Sequence, residues 1–274
     1  MIDTTSTHDG CLVEPAQLAA ELGRRRHVVI DARTPQAHAA DHVPGAVFHS
    51  TYDLFVPDSR PAGMAEFRRE AAARFARIGV SPEVPVIVYE DETGMRAARE
   101  LWILEYLGHR NVRMLHGGLD GWRASGGALE RGAVEAVPTD WRPAVRESMA
   151  VGADEIHEGL GRPGRTLIDV RDANEYAGRD DTACCERRGR LPGAVWIEWT
   201  EFLHGGRYRS AARIRELLRE RGVPEGDELV PYCHRGARSA NVCVGLRYAG
   251  FRRVRNYIGS FHDWSALEAL PVEI

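Results

Sequence analysis

Leu229-Val230-Pro231-Tyr232-Cys233-His234-Arg235-Gly236-Ala237-Arg238-Ser239-Ala240 is the stretch that decides how this chain folds. Leu229 and Val230 form a short apolar run of strand character, and Ala237 to Ala249 has the spacing of a helix. A cysteine between them stands at the end of a strand, with the first backbone N–H groups of the next helix aimed at it. Those N–H groups have no partner within the helix, and together with the helix dipole they favour an anion. Arg235 and Arg238 add positive charge to the loop, and Gly236 lets it bend without a Cβ clash. A helix N-terminus and nearby cations lower a thiol's pKa and expose it as thiolate. Cys233 is therefore the candidate nucleophile. The plain alternative is a core cysteine, since free cysteine is among the most buried residue types. Two guanidinium groups converging on the same helix start weigh against it, because burying them unpaired is costly.

Outward from this loop, the chain contains itself twice. At an offset of 142 residues Gly94 falls on Gly236, Arg96 on Arg238, Leu104 on Leu246, Gly117 on Gly259 and Trp122 on Trp264. Earlier in each half, Asp31-Ala32-Arg33 answers Asp169-Val170-Arg171 at an offset of 138, and His42 to Ala46 answers Arg190 to Ala194 at 148. The second half therefore carries a ten-residue insertion, within Tyr176 to Gly189. Strands are expected at Val28–Ile30, Val86–Val88 and Val112–Leu115, and again at Leu167–Ile168, Leu229–Val230 and Val254–Tyr257. Helical spacing covers Glu66–Ile78, Met95–Leu107, Ala211–Arg221 and Ala237–Ala249. Strands separated by helices imply an α/β fold, each half a parallel sheet with helices on both faces. The expected domains are 12–130 and 149–274, joined by a linker over 131–148 within the glycine- and proline-containing stretch Gly126–Ser148. The same 142-residue offset places Asp91 opposite Cys233, in a loop reading Glu90-Asp91-Glu92-Thr93-Gly94-Met95.

The six-residue loop from Cys233 to Arg238, with glycine in fourth place, resembles the active-site loop of the rhodanese family of sulfurtransferases. From about Pro15 to Pro271 the repeat resembles the two-domain thiosulfate sulfurtransferases, so both halves are expected to be rhodanese-like. The resemblance implies that Cys233 takes sulfane sulfur from a small anionic donor such as thiosulfate. It would hold the sulfur as a persulfide and pass it to a thiophilic acceptor: cyanide, a thiol or a protein. The first half, with carboxylates in its loop, is expected to be catalytically silent and to wall the cleft. Substrate-binding candidates are Arg235, Arg238, His234, Gly236, Ala237 and Ser239, the backbone N–H groups holding sulfur and the arginines holding departing sulfite. Arg238 has two readings, substrate contact or a structural anchor, because Arg96 occupies the matching place in the first half. Arg235 faces Thr93 there, so its charge is specific to the second loop.

Basic residues in the loop favour thiosulfate over 3-mercaptopyruvate, whose enzymes tend to have a small neutral loop. Many family members hold the donor with an arginine shortly after the Asp-x-Arg element. Here that place reads Glu175, with Arg179 as a substitute. Two alternatives lie outside this chemistry. A cysteine phosphatase would need a loop one residue longer, with arginine six positions after the cysteine, and a sulfur-sensing module would use Cys233 only for docking.

Composition narrows the rest. Of 274 residues 43% are apolar and 28% charged, and the net charge is −4. That describes a globular protein suited neither to coating nucleic acid nor to binding a membrane surface. No apolar run approaches the ~20 residues of a bilayer span, and Met1 to Thr5 has no signal-peptide character, so the expected location is cytoplasmic. No lysine occurs, so any anion clamp must use guanidinium. The scattered histidines and Cys11, Cys184, Cys185, Cys233 and Cys243 form no zinc spacing or disulfide framework, and no metal or cofactor is expected. Cys184-Cys185 is read as an exposed pair with a redox or persulfide-accepting role as its sharper alternative, Cys243 as core, and Cys11 as part of a frayed end.

Overall fold

The structure, a computed structural model, describes residues 10–24, 26–179, 185 and 187–274. Its first half runs β1 (Leu12–Val13), α1 (Pro15–Leu22), β2 (Val28–Asp31), α2 (Pro35–Ala40), β3 (Ala46–Phe48), α3 (Pro61–Arg77), β4 (Val86–Tyr89), α4 (Met95–Tyr106), β5 (Val112–Leu115) and α5 (Gly118–Ala124). The five strands form one parallel sheet in the order β1-β5-β4-β2-β3. Alternate side chains of the buried strands enter two cores. Val28, Ile30, Val86 and Val88 pack with Phe67 and Phe75 of α3 and Leu101 of α4. Val29, Ile87 and Leu115 pack with Leu18 of α1 and Leu119 and Trp122 of α5. A sheet covered on both faces needs near-continuous apolar strands, as β2 and β4 provide. The helix expected from Glu66 begins earlier, at Pro61, because proline's fixed φ and missing N–H suit a first turn.

The second half runs α6 (Ala153–Glu158), β6 (Arg165–Asp169), α7 (Ala173–Tyr176), β7 (Val195–Trp196), β8 (Leu203–His204), β9 (Arg207–Tyr208), α8 (Ala211–Glu220), β10 (Glu228–Tyr232), α9 (Ala237–Tyr248) and α10 (Ser260–Ala266). Strands β10, β6 and β7 form a parallel sheet, and β8 with β9 a small antiparallel hairpin. The expected strand Val254–Tyr257 does not form a ladder. It divides its hydrogen bonds, with Arg255 donating to the Leu229 carbonyl and Asn256 donating to that of Met149.

Helices α4 and α9 pack against each other across the interface, and one hydrophobic core runs through both halves. Arg247 of α9 forms a two-pronged pair with Glu105 of α4. These two residues occupy the same place in the repeat. Between the halves, Trp141 is buried and packs edge-on to Phe75, and Glu130 pairs through its backbone with His42. No helix among the described residues is long and apolar enough to cross a membrane.

Candidate active site

Strand β10 delivers Cys233 to the N-terminus of α9. The residue before it is pinned, with the Tyr232 hydroxyl donating to Asp169 at 2.7 Å and accepting the Leu191 N–H at 3.1 Å. Cys233 is 1% exposed. Its own N–H donates to the Ser260 hydroxyl at 3.1 Å, and its carbonyl accepts the Phe261 N–H at 3.0 Å. Gly236 has φ +84°, and a Cβ there would lie 2.5 Å from the Ile258 carbonyl oxygen, so only glycine fits. The Gly236 N–H points at Sγ, 3.1 Å away, and the hydroxyls of Ser239 and Ser260 stand 3.7 and 3.8 Å from it. Burial pushes the thiol's pKa up, but the Arg238 charge, the Ser239 N–H and hydroxyl, and the Ser260 hydroxyl outweigh it. The thiol is left below its ordinary value.

Ser260 is the one non-glycine residue with positive φ, +58°, among the described residues. A left-handed serine carries strain, and here the surrounding bonds hold it in place to put its hydroxyl under the cysteine. Sequence reasoning did not single it out. The signal was present, since the 142-residue offset pairs Ser260 with Gly118, which has φ +57°.

The charged candidates separate. Arg238 is held by Glu175 in a two-pronged pair at 2.5 and 2.9 Å, the kind of contact the anchor reading expects. Glu175 also closes the capping box of α7. The residue in the expected donor-arginine place thus neutralises a loop arginine. The Arg235 guanidinium lies 4.5 Å over the Phe55 ring of the first half, with its buried Nε unpartnered. His234 faces His262 of α10, with ring centroids 6.1 Å apart, and His262 in turn packs on Phe55. Burial and the adjacent arginines pull His234 down to about 4, so it is neutral near pH 7, and they lower His262 as well. Ala237 begins α9, and Ser239 is fully buried. Arg179 is exposed and, among the described residues, donates only its backbone N–H, to the Asn174 carbonyl. It has no bond to Cys233 or to the loop. Phe55 and Arg99 of the first half also reach this loop, and no local sequence pattern marks them.

The first-half loop requires a correction. Tyr89 pairs with Asp31 in the sheet as Tyr232 pairs with Asp169. Its hydroxyl likewise donates to that aspartate and accepts a backbone N–H, from Val43. The Leu119 N–H donates to the Glu90 carbonyl just as that of Phe261 donates to Cys233. Glu90, not Asp91, therefore occupies the cysteine position. The offset is 143 along β4 and returns to 142 at Gly94, because the first-half loop holds one extra residue. Glu90 accepts N–H bonds from Arg96 and Ala97 at 2.7 and 2.9 Å, and burial pushes its carboxyl up to about 7.

The two halves thus share a strand–loop–helix frame that holds an acidic side chain on helix N–H groups. A model of the rhodanese-like domain matches residues 14–125 and again 152–267. The chain belongs to the rhodanese family. A thiosulfate sulfurtransferase from Corynebacterium glutamicum is 31% identical, over 97% of this chain and 91% of its own. A probable 3-mercaptopyruvate sulfurtransferase from Pseudomonas aeruginosa is 32% identical, over 95% of this chain and 97% of its own. Among solved structures, the anaerobic ergothioneine biosynthesis enzyme from Chlorobium limicola, complexed with trimethyl histidine, superposes with a TM-score of 0.86 at 21% identity. The match covers 98% of this chain and 71% of that one. This last likeness is one of fold.

The other cysteines of this rhodanese stand apart from the site. Cys243 is buried on α9, and burial pushes its thiol far up, so it is inert. Cys11 is buried core rather than a frayed end, because its carbonyl accepts the Met114 N–H at the sheet edge. Cys184 lies outside the described residues. Cys185 is not the exposed thiol expected but is half-buried against the second-half core. Nearby, Arg187 donates to the carbonyls of Trp264, Ser265, Leu267 and Leu270, anchoring the insertion at the end of α10. No group of three or more potential metal ligands occurs among the described residues.

Proposed function

We propose that the protein is a thiosulfate sulfurtransferase working through a persulfide on Cys233. The observation that carries this reading is the buried Sγ, 3.1 Å from the Gly236 N–H, with its pKa lowered at a helix N-terminus. The thiolate attacks the outer sulfur of thiosulfate. The S–S bond breaks, sulfite leaves with the electron pair, and Cys233 holds the sulfur as a persulfide anion. The N–H groups of Gly236 and Ser239 and the hydroxyls of Ser239 and Ser260 then surround that anion. Cyanide or a thiolate attacks the outer sulfur, forms thiocyanate or a new persulfide, and returns Cys233 as thiolate. Arg235, His234 and the start of α9 at Ala237 line the approach. Arg179, with no partner at the loop, contributes only long-range charge. The first half carries no transfer and supplies Phe55 and Arg99 to the cleft.

One observation favours 3-mercaptopyruvate as a second donor. Glu175 neutralises Arg238, leaving Arg235 as the loop cation without a carboxylate partner among the described residues. A single cation matches one carboxylate better than a dianion. The test is thiocyanate formation from both donors, with Cys233→Ser as control. Turnover with thiosulfate that vanishes in the variant supports the reading. Turnover confined to mercaptopyruvate moves the donor, and none with either donor overturns the assignment. The acceptor is cyanide, a thiol or a protein thiol, and the thiols of Cys233 and Cys243, neither of them in a disulfide, fit a cytoplasmic location.

A further inference from the structure

Arg99 lies on α4 of the first half, yet it belongs electrically to the second-half loop. It is 1% exposed, and no carboxylate among the described residues lies within ion-pair distance of it. Its guanidinium donates to three backbone carbonyls: Thr51 at 3.2 Å, Leu54, and Arg235 at 2.9 Å. A buried arginine without a counter-ion is costly, so its retention calls for a compensating anion.

The third carbonyl identifies that anion. The Arg235 carbonyl and the Gly236 N–H are two ends of one peptide group. That N–H donates to Cys233 Sγ at 3.1 Å. Guanidinium, peptide and thiolate therefore lie in series: Arg99 draws on the carbonyl, and the peptide's opposite end gives a stronger N–H to the sulfur. Hydrogen bonds chained in a low-dielectric interior reinforce one another in this way. Burial lowers the Arg99 pKa; the Cys233 charge is the first influence that raises it again, followed by Glu100, Tyr52 and Asp53 of the first half, none of which is hydrogen-bonded to the guanidinium.

The repeat provides an internal reference. Asn241 holds the place of Arg99 in the second half, and its side-chain N–H donates to the Gly94 carbonyl of the first-half loop at 2.9 Å. Each helix thus reaches the opposite loop, Asn241 one residue further along than Arg99, and the cation is present only toward the cysteine. We propose that Arg99 is a positioning residue contributed by the first half, which polarises the Arg235–Gly236 peptide and so holds Cys233 as thiolate. This deepens the sulfurtransferase reading and explains one thing the first half does for the second.

The other charged groups around Sγ are Arg235 and Arg238 on its own loop, His234 beside it, His262 on α10, and Glu175 on α7 acting through Arg238. All stay fixed when Arg99 alone is changed. The test is the pH dependence of iodoacetamide alkylation of Cys233 in the full chain, read by mass spectrometry without any sulfur donor. Arg99→Gln keeps a hydrogen-bond donor and loses the charge, and its Cys233 pKa is expected to rise by about one unit. Alkylation at a pH below the thiol pKa then slows about tenfold. Arg99→Lys keeps the charge and is expected to shift by less than half as much. Glu105→Gln breaks the pair with Arg247 at the same α4–α9 interface without touching the loop, and is expected to leave the pKa unchanged. Equal pKa values in wild type and Arg99→Gln overturn the proposal, as does the same rise in all three variants. Should Arg99→Gln fail to fold, Arg99→Lys decides alone: a value near wild type supports a role for the charge, and a full unit's rise overturns it. The readout uses no donor, so a wild type inactive toward both thiosulfate and mercaptopyruvate would overturn the sulfurtransferase reading and leave this result standing.

Discussion

Two loops on the same frame, one per half, differ in what the helix N-terminus holds. In the second half it holds the Cys233 thiol, and in the first the Glu90 carboxyl. Both side chains are buried, and burial pushes both pKa values up. At Cys233 the Arg238 charge and the serine donors reverse that push. At Glu90 the bonds from Ala97 and Arg96 do not, and the carboxyl stays at about 7. The frame selects an acidic group, and its neighbours decide the protonation state. Beneath the two loops Ser260 replaces Gly118 in the same left-handed conformation, so a strained backbone is accepted only where a hydroxyl is needed.

The sharpest way to break this comparison is to move the nucleophile. The double variant Cys233→Ser, Glu90→Cys keeps a cysteine on a helix N-terminus but leaves it in the longer loop, without the serines. Its thiocyanate formation is expected to stay at least about a thousandfold below wild type, the scale of losing a catalytic nucleophile. Recovery of even a few per cent of activity would show that the frame alone suffices.

The next largest effect tests the Arg238–Glu175 pair, whose members act in opposite directions. Arg238→Met removes the largest influence lowering the Cys233 pKa and leaves Glu175 buried and unpaired. Alkylation of Cys233 at neutral pH is expected to slow about tenfold, with a loss of stability on the order of 3 kcal/mol. Glu175→Gln releases Arg238, and kcat/KM for thiosulfate is expected to rise about threefold at low salt, less at high salt. A fall would show that the pair positions Arg238 rather than masking it.

Much of this was legible in the sequence, for identifiable reasons. The repeat, the parallel α/β sheets and the cysteine at a strand-to-helix turn follow from apolar runs, helical spacing and one glycine, all of them local features. Helices α4, α8 and α9 fall within a residue of their expected ends. The Val254–Tyr257 segment, expected as a strand, forms no ladder because its pairing is divided between two separate neighbours. The opponent of Cys233 was misplaced by one residue because an ungapped match from Gly94 onward cannot reveal an extra residue just before it. The Tyr89 and Tyr232 hydroxyls on matching aspartates do reveal it. Arg99, Phe55 and the Glu175 pair were beyond reach, since each joins residues far apart in sequence whose types are individually ordinary.

A smaller effect separates strain from chemistry at Ser260. Ser260→Gly relieves the positive φ and removes the hydroxyl, whereas Ser260→Ala keeps the strain and removes the same group. Both are expected to lower the transfer rate severalfold, to a similar extent. Glycine should melt higher than alanine, by about 1 kcal/mol in stability. If the glycine variant keeps full activity, the hydroxyl is dispensable and the serine serves the backbone alone.

Glu90→Gln is expected to change the transfer rate least and the pH dependence of stability most. The Glu90 carboxyl is raised in the folded protein from its ordinary 4.5 to about 7. A raised folded pKa means that its favourable contribution is complete below about 4.5 and is lost as pH rises through about 7. At pH 5 the buried carboxyl is neutral, and glutamine, accepting the same Arg96 and Ala97 N–H groups, should match it. At pH 8 the wild type carries a buried carboxylate, and the glutamine variant should be more stable by on the order of 2 kcal/mol. Denaturant unfolding of both proteins at the two pH values measures this, and the difference between them cancels every other titrating group. The same difference at pH 5 and pH 8 would mean that Glu90 keeps its charge throughout. The first-half helix N-terminus would then hold an anion just as the second-half one does, and the contrast between the loops would rest on nucleophilicity alone.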